Sequence, residues 1–77
     1  MRIFYDEESD LLYLRFDESE QELINRRVSE DVVLDLGTGD RIVGIEILDA
    51  SHHLDLARLM PVTYETTASG GGTTAWD

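Results

Sequence analysis

Two histidines and the carboxylates beside them are the residues best suited to chemistry in this 77-residue chain. Glu46 lies within a run of β-branched residues. Asp49 follows that run, and His52 and His53 come shortly after Asp49. Imidazole and carboxylate groups are common ligands of zinc and nickel, so Glu46, Asp49 and one histidine could form a small metal site. Adjacent histidines point about 100° apart on a helix, so at most one of them can join a given site.

Glu46 also has a structural interpretation. A carboxylate inside an apolar strand must be solvated or paired. Arginines on adjacent strands could pair with it, and the candidates are Arg15, Arg26 and Arg27. The functional alternative makes Glu46 a general base. Because no nucleophile or histidine lies in the same strand, the structural ion pair is the preferred interpretation.

Two short acidic segments could contact a protein partner. Residues 6–10 and residues 17–22 both read as exposed turns or loops. The first lacks the glycine-centred spacing of a calcium-binding loop, so a solvated turn is expected there. The candidates for partner binding are Asp6, Glu7, Glu8, Asp10, Asp17, Glu18, Glu20 and Glu22.

Charge and composition narrow the range of partners. Seventeen acidic residues stand against six arginines, which gives a net charge of −11. Such a charge opposes binding to nucleic acid and to anionic membranes, and it favours a basic protein partner. The absence of cysteine excludes disulfides and thiolate metal sites. No cofactor is expected. With no apolar run of about 20 residues and no signal-peptide pattern, a cytoplasmic location is expected.

Alternating apolar and polar residues predict a small β-sheet. Short turns between successive strands favour antiparallel pairing, so we expect a meander of about four strands. A glycine within the last strand, Gly44, predicts a bulge or a close approach by another part of the molecule. The candidate strands are residues 2–5, 11–16, 23–28, 31–36 and 41–48.

A C-terminal helix is predicted after the last strand. Asp49 or Ser51 can cap it, leucines at helical spacing supply an apolar stripe, and Pro61 ends it. The predicted fold class is therefore α+β, with one helix packed on one face of the sheet. Residues 1–62 form the single domain in this interpretation, and residues 63–77 form a flexible tail rich in glycine and threonine.

Apolar residues are expected on both faces of the sheet. Alternation places Val32, Leu34 and Leu36 on one face of their strand, and likewise Val43, Ile45 and Ile47 on one face of theirs. The helix is expected to cover both sets, and the residues expected beneath it are Leu12, Leu14, Leu34, Val43 and Ile45. One short helix can cover only one face, so a second copy or a protein partner should cover the rest. We therefore predict a homodimer. The residues expected opposite the helix are Phe4, Leu11, Tyr13, Val33 and Ile42.

Two motifs resemble a known family. Residues 5–14, YDEESDLLYL, resemble the pattern Y-D-x-E-x-D-x-L-Y-I, and residues 43–51, VGIEILDAS, resemble V-G-I-E-I-L-D-A-S. Together they are similar to a small bacterial family of unknown function, domain of unknown function 2283. Similar genes are sometimes found beside toxin-like proteins, so the resemblance implies an antitoxin-like role. A non-enzymatic protein-binding module is the preferred function, with a small metal-dependent enzyme or a purely structural domain as alternatives.

Overall fold

The fold is an antiparallel β-sheet, and the computed structural model describes residues 1–59, 62–67 and 73–76 of the chain. Each of the five candidate strands is present within two residues of its predicted bounds. The sheet therefore has five strands rather than about four. They are β1 (Arg2–Asp6), β2 (Leu11–Arg15), β3 (Ile24–Arg27), β4 (Val32–Leu36) and β5 (Ile42–Leu48).

The strands lie in the order β1-β2-β5-β4-β3, and all neighbours are antiparallel. The predicted continuous meander is wrong at one step, because β2 pairs with β5 and not with β3. Residues 16–23 instead carry the chain from β2 to the far edge of the sheet. β5 is the longest strand and strongly apolar, and the central position gives it a partner on each side, which buries more of its surface.

The register defines two faces. Residues opposite each other on paired strands share a face, and alternate residues along a strand share one too. As predicted, Val32 and Leu34 share a face with Ile45 and Ile47. We call this the apolar face, and its two rows across the sheet are Tyr5-Leu12-Ile47-Val32 and Ile3-Leu14-Ile45-Leu34.

The opposite face is more polar. One row across the sheet runs Phe4-Tyr13-Glu46-Val33-Arg27, and the next runs Arg15-Gly44-Asp35-Asn25. We call it the polar face. Three of the five residues predicted opposite the helix lie in the first of these rows, namely Phe4, Tyr13 and Val33. Because the two faces differ so clearly, the register of the sheet is strongly specified by the sequence.

The predicted C-terminal helix is wrong, and the α+β class is wrong with it. Within the described part of the chain there is no α-helix, and the segment after β5 forms two 3₁₀ turns, Ala50–His52 and Leu56–Arg58. Asp55, between them, is extended, and its side chain accepts a hydrogen bond from the backbone N–H of Ala57. Such a bond competes with a continuous helix, and a segment this short gains little from helix propagation.

Part of the predicted tail forms strands. β6 (Val62–Glu65) pairs antiparallel with β7 (Thr73–Trp76) in a separate two-stranded sheet. Residues 60–61, 68–72 and 77, which include most of the glycine run, lie outside the described residues. The domain boundary at residue 62 stays a prediction. No helix in the described ranges is long and apolar enough to cross a membrane, and the cytoplasmic location also stays a prediction.

Leu12 is the most deeply buried large side chain of the small core, so its truncation tests how much the core contributes to stability. Its side chain is 0% exposed, so Leu12→Ala leaves a cavity and should lower the free energy of unfolding by about 2–5 kcal/mol. Chemical denaturation followed by circular dichroism measures this loss. The control is Ile24→Ala on the exposed edge strand, which should change stability by about 0.5 kcal/mol or less. Equal effects of the two substitutions would contradict the core assignment.

Candidate functional site

Asp35 and Glu46 form a pair of carboxyl groups on the polar face. They lie diagonally on the neighbouring strands β4 and β5, since Glu46 is opposite Val33 and Asp35 is opposite Gly44. Asp35 is only 4% exposed. The amide Nδ2 of Asn25, on the edge strand β3, donates to Asp35 Oδ1 at 2.5 Å and lies 3.4 Å from Glu46 Oε2. Three adjacent strands therefore meet in one polar network.

This contact changes the titration of Glu46. A hydrogen bond with Asp35, then burial and the negative charge of Asp35, raise the pKa of Glu46 to about 7. Two carboxyl groups this close resist simultaneous ionisation, so the pair holds one proton until the pH approaches neutrality. The protonated group can donate a hydrogen bond, which an ordinary surface glutamate at that pH cannot.

Tyr13 and Arg15 border this pair on the polar face. Arg15 Nη1 donates to the Tyr13 hydroxyl at 3.2 Å, and its other nitrogens donate to the backbone oxygens of Asp17 and Ser19. The Tyr13 ring lies close to Gly44, where a Cβ would come within 2.9 Å of the Tyr13 hydroxyl and 2.8 Å of the Leu14 carbonyl oxygen. The close approach expected at Gly44 is therefore made by Tyr13.

The predicted arginine partner of Glu46 is wrong. Within residues 1–59 no ion pair joins Glu46 to an arginine. Arg26 is opposite Leu34 and belongs to the other face, while Arg27 donates to the Glu30 carbonyl oxygen. Sequence reasoning missed Asp35, because simple counting across the 37–40 turn places Asp31 opposite Glu46. The structure instead pairs Val33 with Glu46, and the register shifts between Asp35 and Leu36.

A second polar network lies at the end of the sheet where β2 begins. Asp10 accepts hydrogen bonds from the Tyr5 hydroxyl at 2.6 Å, from the Ser51 backbone N–H at 3.1 Å and from the Ser51 hydroxyl at 2.7 Å. The bonds from Ser51 and Tyr5 lower the pKa of Asp10, and the bond to Asp10 raises the pKa of Tyr5 to about 12. Asp10 thus ties the β1–β2 turn to the segment after β5.

The structure brings together only part of the predicted metal set. One ligand atom each of Asp10, Asp49 and His52 lie within 4.8 Å of one another, and His52 Nδ1 is 2.9 Å from Asp49 Oδ1. Glu46 belongs instead to the polar-face pair, and His53 Nε2 lies 2.9 Å from Asp31 Oδ2. Asp49 and His52 are exposed, so the three groups could accept a cation from solvent.

The eight acidic candidates for partner binding are divided between the two ends of the sheet. Residues 6–10 precede β2 and residues 17–22 follow it, so the length of a five-residue strand, roughly 17 Å, separates them. The end of the sheet at which β2 begins also carries the β3–β4 turn and the residue after β5. We call it the acidic end, and its residues are Asp6, Glu7, Glu8, Asp10, Glu30, Asp31 and Asp49, with Arg27 as the arginine nearby.

The Asp10–Ser51 contact joins the two motifs that resemble a known family. A family model described as protein of unknown function (DUF2283) matches residues 2–51. The chain belongs to this family. The DUF2283 match covers all five strands of the main sheet and ends at Ser51, so the resemblance inferred from the two motifs is confirmed. No curated protein and no solved structure matches the chain.

Glu46→Gln tests the shared proton. The raised pKa favours the protonated form of Glu46 in the folded state, so this group contributes least stability once the pH rises through about 7. Glutamine keeps a neutral donor at every pH. We expect Glu46→Gln to be more stable than the wild type at pH 8, by about 1–3 kcal/mol, and nearly equal to it below the usual glutamate pKa of 4.5.

Chemical denaturation at several pH values measures this difference. The control is Glu20→Gln, an exposed residue of the 16–23 connection, which should not alter the pH dependence. A Glu46→Gln variant that is less stable than the wild type at pH 8 would show that the pair is not held together by a shared proton.

Proposed function

We propose that this protein is a non-enzymatic protein-binding module whose acidic end contacts a basic partner. The observation that carries the proposal is the charge at that end of the sheet, where the turns and strand ends of residues 1–49 place seven carboxyl groups and one arginine. The opposite end is closer to balance, since five acidic residues stand beside Arg2, Arg15 and Arg41. In an antitoxin-like role, the partner would be a basic toxin-like protein.

The carboxyl groups at the acidic end are not equally available. Asp10 already accepts hydrogen bonds from Tyr5 and Ser51. Asp6 Oδ1 accepts a hydrogen bond from the backbone N–H of Glu8 at 3.0 Å. The side chains of Glu7 and Glu8 are exposed at the tip of the turn. These two glutamates are therefore the ones best placed to approach arginine or lysine side chains of a partner.

An apolar side chain lies next to these glutamates. Phe4, on the edge strand β1, is 54% exposed and lines a shallow groove together with Glu7 and Glu8. Charges at the rim speed encounter and select partners, whereas desolvated aromatic contacts supply most of the lasting affinity. The combination of Phe4 and the turn fits a basic surface that also offers an apolar contact.

Charge reversal at the two ends of the sheet tests this function. A partner captured from the source cell is purified, and its association rate with this protein is measured at low and high salt. We expect Glu7→Lys/Glu8→Lys to slow association about tenfold at low salt, because electrostatic steering depends on these charges. The matched control, Glu18→Lys/Glu20→Lys at the other end, should slow it much less.

Three results would count against the proposal. Capture of no basic protein at low salt would remove its main support. An association rate that ignores salt would show that the acidic end does not steer the partner. Equal effects of the two double variants would mean that only the net charge matters and that the position of the carboxyl groups does not.

Metal binding is a second candidate function, supported by the convergence of Asp10, Asp49 and His52. The ligand set that the geometry favours differs from the one expected from sequence, since Asp10 replaces Glu46 and His53 is directed to Asp31. Asp10 already accepts three hydrogen bonds from Tyr5 and Ser51, which reduces its capacity to bind a cation.

Zinc titration by calorimetry separates the two histidines. If the protein binds zinc at this cluster, His52→Ala should weaken binding at least tenfold, because an imidazole ligand is lost. His53→Ala is the matched control and should leave the affinity nearly unchanged. Equal losses in both variants, or loss on Glu46→Gln, would contradict the assignment of the ligands.

A further inference from the structure

The middle of the apolar face is less buried than residues beside it. All four members of the row Ile3-Leu14-Ile45-Leu34 are only half-buried. Leu12, in the adjacent row, is 0% exposed, and Val43, near the start of β5, is 1% exposed. In a domain of two packed layers, the centre of the apolar face is the most buried part. The central row of this face is therefore less completely buried than the positions beside it.

We propose that a second copy of this chain covers the apolar face, so that two sheets pack face to face in a homodimer. The central contacts are made by Leu14, Ile45 and Leu34. The inference does not depend on the proposed function, because the acidic end and the apolar face are different surfaces. It names the surface through which the homodimer expected from the sequence would form.

The charge distribution favours a second copy over a basic partner at this surface. Neither row of the apolar face contains an acidic residue, although the chain has 17 of them. The nearest charged member of the register is Arg26, beside Leu34 on the edge strand. Two copies can thus stack while their acidic ends project away from the contact, whereas a basic surface would meet no opposite charge there.

The size of the chain supports the same conclusion. Small domains generally add disulfides, a structural metal or an oligomeric contact to a thin core. Since cysteine is absent, disulfides cannot supply this reinforcement.

The absence of cysteine also makes a direct experiment possible. A single introduced cysteine reports one position, so Ile45→Cys probes the centre of the apolar face and Phe4→Cys probes the polar face. Light scattering of the full chain should give a dimer mass at high micromolar concentration. The reactivity of the Ile45→Cys thiol should fall about tenfold between dilute and concentrated protein, while that of Phe4→Cys stays constant.

A truncation measures the energetic contribution of the face. Leu14→Ala should raise the dimer dissociation constant at least tenfold, because a two-fold contact loses the side chain from both copies. Phe4→Ala is the control and should leave that constant unchanged. Circular dichroism of each variant shows that it is folded, and the thiol measurement on Ile45→Cys stands if Leu14→Ala does not fold.

Several outcomes overturn the inference. One is a monomer at high micromolar concentration, which leaves the face to a different protein. Another is a dimer in which Phe4→Cys is protected and Ile45→Cys is not, which places the contact on the polar face. A third is an Ile45→Cys thiol protected equally at all concentrations, which means that the chain's own C-terminal residues cover the face.

Discussion

The pairing of β5 with both β2 and β4 is the constraint on which the rest of the structure depends. The β1–β2 hairpin and the β3–β4–β5 meander become one sheet through the β2–β5 ladder. That ladder also sets both faces, because it aligns Leu14 with Ile45 and Tyr13 with Glu46. A shift of one residue would exchange the two faces and place Glu46 among the aliphatic side chains.

Two side-chain networks reinforce this arrangement at positions far apart in sequence. Asp10 and Ser51 join the start of β2 to the segment after β5, and Asn25 joins the edge strand to the Asp35–Glu46 pair. The first network uses a carboxylate that is stabilised by its donors. The second network holds a proton between two carboxyl groups, so its protonation changes near pH 7. The first network does not change at that pH, because the pKa of Asp10 is lowered.

Separation of charge from apolar surface unites the two proposals made for this protein. The net negative charge is greater at one end of the sheet than at the other, and the two rows of the apolar face contain no acidic residue. A surface of one sign can attract a partner over several ångströms, while an uncharged surface can pack against a copy of itself. The same small sheet can therefore take part in two kinds of contact without one blocking the other.

The sequence by itself determined the strands, their antiparallel pairing within each hairpin, the shared face of Leu34 and Ile45, and membership of the DUF2283 family. These features follow from alternation, short turns and local motifs, all of which are readable within a few residues. The predicted C-terminal helix is wrong because the Asp55 side chain accepts a hydrogen bond from the local backbone. The apolar stripe alone had suggested a continuous helix at that point.

Only the tertiary structure decided which strands are neighbours and which carboxyl groups meet. Local pattern does not say that β2 skips β3 to pair with β5, since that choice depends on the surface buried by the whole sheet. The partners of Glu46 follow from that choice together with the register of the β4–β5 hairpin. Asp35 and Asn25 lie on β4 and β3, so the residue pattern within β5 could not identify them as partners of Glu46. That pattern led to the prediction of an arginine partner instead.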